Sequence, residues 1–241
     1  PEPAKDDAAR AAAQANNPLA KMKAFNVHNY FISDLTGDTD RSANTFWLRY
    51  AQPVGRVLLR ASLPVPTVPQ ADRELSGLGD FNVFGAYLLS DPDSPRQLGV
   101  GPLIAAPTAS DDALGSGKWQ AGAAAILFDA SSPVVQWGGL VTVQGSFAGD
   151  DDRDRTRLAA VQPFAFWQLG KGLYLRAAPI WAFDLENNSY HMPFSLGIGK
   201  VVRVGDTVYN LFAEPLVTFL HRGNGQPSTQ LFIGLNMQFM N

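Results

Sequence analysis

The residues of this chain that could do chemistry fall into a few sets. Its three histidines, His28, His191 and His221, are the candidate bases, and His28 and His191 have a Ser or Asn close by in sequence. A serine nucleophile would need a sharp Gly-x-Ser-x-Gly elbow to expose its hydroxyl. The nearest stretch, Gly145-Ser146-Phe147-Ala148-Gly149, has the wrong spacing. Ser116-Gly117-Lys118 is no phosphate loop, because the glycine required five residues before Gly117 is Asp112. The chain has no Cys, which removes thiolate metal ligands, cysteine nucleophiles and disulfides together. These features point away from an enzyme, and no cofactor motif is present.

Two charged sets remain. Asp150, Asp151, Asp152 and Asp154 alternate with Arg153 and Arg155 in the densest charge cluster of the chain. They lack the glycine and distal glutamate of a calcium loop. The cluster reads as a solvated hairpin tip or, at its sharpest, as a divalent-ion bridge to lipopolysaccharide phosphates. The other set is dispersed: Arg49, Arg60 and Arg176, with Glu214, Asp80, Gln162 and Gln144. What these can do depends on the elements that carry them.

From Ala24 onward those elements read as strands and turns. Segments of alternating hydrophobicity at 24–33, 45–53, 56–66, 79–90, 97–107, 118–130, 134–148, 155–169, 172–185, 190–203, 207–221 and 229–240 are separated by clusters of Gly, Pro, Asp, Asn and Ser. That makes about 12 strands. Connectors alternate strictly between long or polar (34–44, 67–78, 108–117, 149–154, 186–189, 222–228) and tight. This is the asymmetry of outer-membrane barrels, with long loops outside and short turns in the periplasm. An even strand count puts both termini at the short-turn end.

Facing supports the same reading. In 134–148 the odd positions include Val135, Trp137, Val141, Val143 and Phe147, against Gln136, Gln144 and Ser146 at even positions. One face of each strand is free of charge while the other takes the Arg, Gln, Asp and Gly. We therefore expect an all-β, transmembrane, antiparallel up-and-down barrel with its apolar face to lipid and its polar face to a lumen. Tyr50, Tyr87, Trp137, Trp167 and Phe239 would form one aromatic girdle, and Phe46, Trp119, Phe147, Trp181, Tyr190 and Phe219 the other. Ionisable groups at membrane depth belong in a wet interior. Arg49, Arg60, Arg176, Glu214, Asp80 and Gln162 are accordingly expected in the lumen, as cross-bracing, as a selectivity constriction, or both. Inward Phe84, Phe164, Phe166, Phe212 and Phe232 would narrow it further.

Two segments depart from this pattern. Residues 1–23 form a separate N-terminal unit, expected as a short helix from Pro3 to Ala15 with Pro18 as its stop, lying either as a loose tail or as a plug in the lumen. The start at Pro1, without Met or a hydrophobic leader, reads as a processed product. Within the barrel unit, 24–241, Pro102, Pro163, Pro179, Pro193 and Pro215 fall inside strands, where proline removes a ladder hydrogen bond. They mark bulges or, at Pro163, Pro179 and Pro215, an under-bonded wall that could open sideways to a hydrophobic ligand.

Gly77-Leu78-Gly79-Asp80-Phe81-Asn82-Val83, Gly99-Val100-Gly101-Pro102, Pro107-Thr108 and Gly115-Ser116-Gly117-Lys118-Trp119, with the ending Gly234-Leu235-Asn236-Met237-Gln238-Phe239, resemble the outer-membrane barrel family of the meta-pathway phenol-degradation type. That family is similar to the functional-amyloid secretion channel of pseudomonads. The resemblance covers roughly residues 24–239 and implies outer-membrane location and uptake of small, often aromatic molecules. The expectation is thus an outer-membrane channel or transporter of a Gram-negative bacterium, passing small, aromatic or hydrophobic solutes through a narrow Arg-lined lumen. The alternative is a secretion pore, of the amyloid-exporter or autotransporter kind, gated by the N-terminal helix. Expected partners are outer-membrane lipid and lipopolysaccharide, the barrel assembly machinery, a small-molecule solute and further copies of the chain. With a net charge of −3, nucleic acid is not expected. The closing strand ends on Phe239, as an assembly signal would, with Met240 and Asn241 running past it.

Overall fold

The computed structural model describes residues 14–37, 40–71, 73–91 and 94–240. Fifteen strand segments lie in one antiparallel sheet that closes on itself. In chain order they are β1 (Lys23–Leu35), β2 (Ala43–Val54), β3 (Val57–Pro69), β4 (Glu74–Ser76), β5 (Phe81–Leu88), β6 (Arg96–Ala106), β7 (Lys118–Asp129), β8 (Val135–Gly149) and β9 (Arg157–Gly170). β10 (Leu173–Ala177), β11 (Trp181–Asp184), β12 (Ser189–Ser195), β13 (Gly197–Val204), β14 (Thr207–Arg222) and β15 (Pro227–Phe239) complete the set. β4 with β5, β10 with β11 and β12 with β13 are interrupted single strands, so the barrel wall has 12.

Closure is made by the two ends of the sheet. Lys23 pairs with Phe239, Val27 with Leu235 and Phe31 with Leu231 along a ladder that also holds β15 to β14. Such closure removes the sheet edges, and no backbone donor row is left open there. The alternation read from the sequence holds in space: Trp137, Val143, Phe147, Leu211, Phe219 and Ile233 are exposed outward, while Gln136, Asn210, Phe212 and Glu214 are buried inward. In so narrow a barrel, large inward rings need small residues across the ladder. A Cβ on Gly199 would stand 2.3 Å from the Tyr174 ring, and one on Gly234 would stand 2.1 Å from Phe212.

The expected N-terminal helix, residues 3–15, falls mostly outside the described residues. Of the described residues, Gln14 and Ala15 at its end are helical, and the one further helical element is a 3-10 turn at Asp112–Leu114. Residues 14–22 run mainly as turns, with Asn17 N–H donating to Gln14 O (3.1 Å) and Ala20 N–H to Asn17 O (3.2 Å). Pro18 has no N–H and cannot continue a helix, and inward barrel side chains reach the carbonyls at the end of the expected helix. Asn210 Nδ2 reaches Ala15 O (3.3 Å), and Gln238 Nε2 reaches Gln14 O (3.4 Å).

Candidate functional site

Inside the barrel lies a cavity of about 440 Å³. Its walls come from the inward positions of β1, β2, β3 and β5 to β10 together with β14 and β15. Arg49, Arg60, Arg176 and Gln162 line it, with Phe84, Phe164, Phe166, Phe212 and Phe232. Residues Ala15–Ala20 close one end, where Ala15, Asn16, Asn17 and Leu19 are buried. Towards the long loops it meets a second cavity of about 340 Å³, walled by Asp184, His191 and Gln226. The two share Thr142, Gln144 and Ala160, so they adjoin.

The three arginines are not equivalent. Arg176 is braced: its Nε lies 2.6 Å from Glu214 Oε2, and its guanidinium carbon lies 3.6 Å from the Phe212 ring centroid. Glu214 is fully buried behind it. Arg49 donates to His28 Nδ1 at 2.6 Å and lies over Trp47, 4.4 Å from its ring centroid. A guanidinium can only donate, so His28 Nδ1 must accept. That makes His28 a neutral imidazole whose proton sits on Nε2, donated to Asn236 Oδ1 at 2.7 Å. Arg60 stands beside Phe84, 5.9 Å from its ring centroid, with no ion pair among the described residues.

Asp80 is not in this constellation. It stands at the start of β5, where its carboxylate accepts Ser116 N–H and Ser116 Oγ–H, both at 2.7 Å, and Ala109 N–H at 3.2 Å. Thr108 accepts from Phe81 N–H (2.8 Å) and donates to Gly79 O (3.2 Å), while Ser110 N–H donates to Leu78 O (2.9 Å). The Gly/Asp motif around Asp80 is therefore a clasp between two long loops. Gly115 fits there because a Cβ would stand 2.6 Å from Asp80 Oδ1. Asp150, Asp151, Asp152 and Asp154 do not form a metal centre: no cluster of three or more His, Cys, Asp or Glu among the described residues could hold an ion. Asp150 Oδ1 instead accepts Asp152 N–H at 3.0 Å, closing a turn.

The proline-rich region has a definite geometry. The β10–β13 and β11–β12 ladders share one register, yet no pairs join 177–181 to 192–196. Pro163 and Pro179 fall opposite each other in a second interruption, between Ala177–Ala165 and Trp181–Val161. Pro215 keeps its pairing to Leu231 on one side, while Leu196, across from it on the other, is unpaired. Buried peptide groups freed in this way need other partners. Ala178 N–H donates to Glu214 Oε1 (2.6 Å), Gln162 Nε2 donates to Ala178 O (3.1 Å), and Trp181 Nε1 donates to Pro193 O (3.1 Å). Side chains thus carry the wall where the ladder lapses. Trp47, Tyr30, Asn236 and residues 15–20 are cavity components that strand-by-strand reading left unassigned. Trp47 and Tyr30 could have been found from parity with Arg49 and His28, whereas the N-terminal turns carried no alternating signal.

A closed, lumen-bearing barrel with long loops at one end defines the fold class of outer-membrane β-barrel channels. Its structure is similar to an outer-membrane channel from Pseudomonas putida F1, at a TM-score of 0.67 and 13% identity, covering 91% of this chain and 96% of that one. It is also similar to the NanC porin (TM-score 0.60, 8% identity, 90% and 100% covered) and to the KdgM porin in complex with disordered oligogalacturonate (0.57, 6%, 90% and 99%). No protein-family model and no curated protein matches the sequence.

Proposed function

We propose that this protein is a passive outer-membrane channel for small solutes. The observation that carries the reading is the adjoining pair of cavities running from the long loops to the N-terminal turns inside a closed wall. The outward belt of Trp, Phe, Val and Leu suits lipid, and the polar inward positions suit water. On this reading the long loops face outward from the cell, the termini are periplasmic, and residues 14–20 stopper the periplasmic end of the lumen. The solutes are small and in part aromatic or hydrophobic, a class that the phenyl-rich cavity wall and the resemblance to the phenol-degradation barrels both support. Single-channel recording in planar bilayers tests it. We expect a small, stable conductance from the full chain and a several-fold larger one from a chain lacking residues 1–22. No conductance from either would reject the channel.

The lapse in pairing between 177–181 and 192–196 favours a second exit, sideways into lipid, for the more hydrophobic solutes. Opening there would break few ladder bonds, because the contacts that bridge it are side-chain contacts at Ala178 and Pro193.

A further inference from the structure

We propose that Arg49 and Arg60 form a binding site for the carboxylate of a small single-ring acid, an aryl monocarboxylate. As the role of a solute site this rests on the channel reading; as a binding site it does not.

Among the described residues, three arginines and no Asp or Glu line the central cavity. Arg176 is neutralised from behind by Glu214. Arg49 spends a donor on a histidine held neutral, which contributes no balancing charge. Arg60 has no ion pair among the described residues. Two guanidinium charges therefore face a partly desolvated space without a counter-ion among the described residues. A buried charge is costly unless paired, and a cavity of one sign concentrates the opposite ion. The ladder pairs Arg49 with Ser62 and Ala51 with Arg60, so the two arginines are diagonal neighbours on the same inward face, with backbones about 7–8 Å apart. Side chains of that length can converge on one carboxylate, the group whose planar oxygens match a guanidinium fork.

The remainder of the cavity selects the body of the ligand. Trp47 and Phe84 flank the arginines, while Phe212 and Phe232, on nearby strands β14 and β15, pack against His28 with Tyr30 stacked on Phe232 at 4.0 Å. The charge that no carboxylate among the described residues neutralises is confined to β2 and β3, and aromatic faces lie on either side of it. That matches an acid with one charged end and one flat apolar end. A second carboxylate would have to lie among the rings, and a neutral ring would leave the guanidinium pair uncompensated. At about 440 Å³ the space is within the range of small-molecule pockets.

The test uses the full chain in detergent micelles, with benzoate, benzyl alcohol and acetate as probes, read by tryptophan fluorescence and calorimetry. The same preparation is recorded in planar bilayers. We expect saturable benzoate binding, at least tenfold weaker binding of benzyl alcohol and of acetate, and a tenfold loss for benzoate in Arg60→Gln that Arg60→Lys largely restores. Arg96→Gln, at the short-turn rim, should bind as the parent does. Equal affinity for benzoate and benzyl alcohol, or no saturable benzoate binding by protein that conducts, overturns the site and leaves the channel standing. Binding without conductance keeps the site and removes the channel. The ligand comparison on the parent chain decides the matter even if the variants do not fold.

Discussion

The carboxylate of Glu214 holds Arg176 at 2.6 Å with one oxygen and the unpaired Ala178 amide, also at 2.6 Å, with the other. One buried side chain thus neutralises a cation in the lumen and replaces a missing rung of the barrel wall. Ser195 Oγ, at 2.5 Å, completes its shell. Removing one partner of a buried pair costs more than the pair is worth, because the other charge stays buried. Glu214→Gln should therefore lower unfolding stability in lipid by about 3–5 kcal/mol, measured by urea titration. Ser195→Ala, which removes the bond to Glu214 and a longer one from Ala178 N–H (3.3 Å), should cost about 1–3 kcal/mol. A parent-like urea midpoint for Glu214→Gln would mean that the pair does not brace the wall.

The lapse beside these residues makes a prediction about transport. The chain has no Cys, so a pair introduced at Ala177 and Leu196, opposite each other in register, would be the one disulfide. If solutes leave sideways, oxidation should reduce uptake of a hydrophobic solute severalfold while leaving ion conductance unchanged, and reduction should reverse it. Equal uptake in both redox states would rule the sideways exit out.

Asn210 ties the N-terminal turns to the wall, donating to Ala15 O and Asn16 Oδ1 and accepting from Tyr174 Oη at 2.6 Å. Asn210→Ala should raise mean conductance towards that of the chain lacking residues 1–22, with more frequent open–closed transitions. Unaltered single-channel traces would argue that the segment does not depend on this anchor.

Arg60→Ala removes from the lumen a cation with no ion pair among the described residues, so the reversal potential under a salt gradient should move towards cation preference. Asp80→Ala disturbs only the loop clasp. It should leave selectivity unchanged and cost about 1–3 kcal/mol, the penalty for buried donors left without an acceptor. A selectivity shift in Asp80→Ala, or none in Arg60→Ala, would reverse these assignments.

Much of the barrel was legible in the sequence because its determinants are local. Period-two alternation decides which face of each strand is apolar, and Gly, Pro, Asp and Asn mark where strands end. The alternation of long and short connectors then gives strand count and the ends of the barrel, and the parity of Arg49, Arg60, Arg176 and Gln162 placed them inward. Parity fails outside the strands. Asp80 shares the residue type of a lumen carboxylate, but it stands just before β5, where the acceptor demand of Ala109 and Ser116 decides its role. The turns that follow Ala15 carry no alternating pattern, and it is barrel side chains distant in sequence that hold the carbonyls of Gln14 and Ala15. The prolines signalled a weakened wall. Only the shared register of four strands brought Pro163, Pro179, Pro193 and Pro215 into one patch and set Glu214 beneath it. Which arginine is neutralised and which is free was likewise decided by tertiary structure. It depends on a partner on another strand, and charge pairing across a closed sheet leaves no trace in the order of residues along the chain.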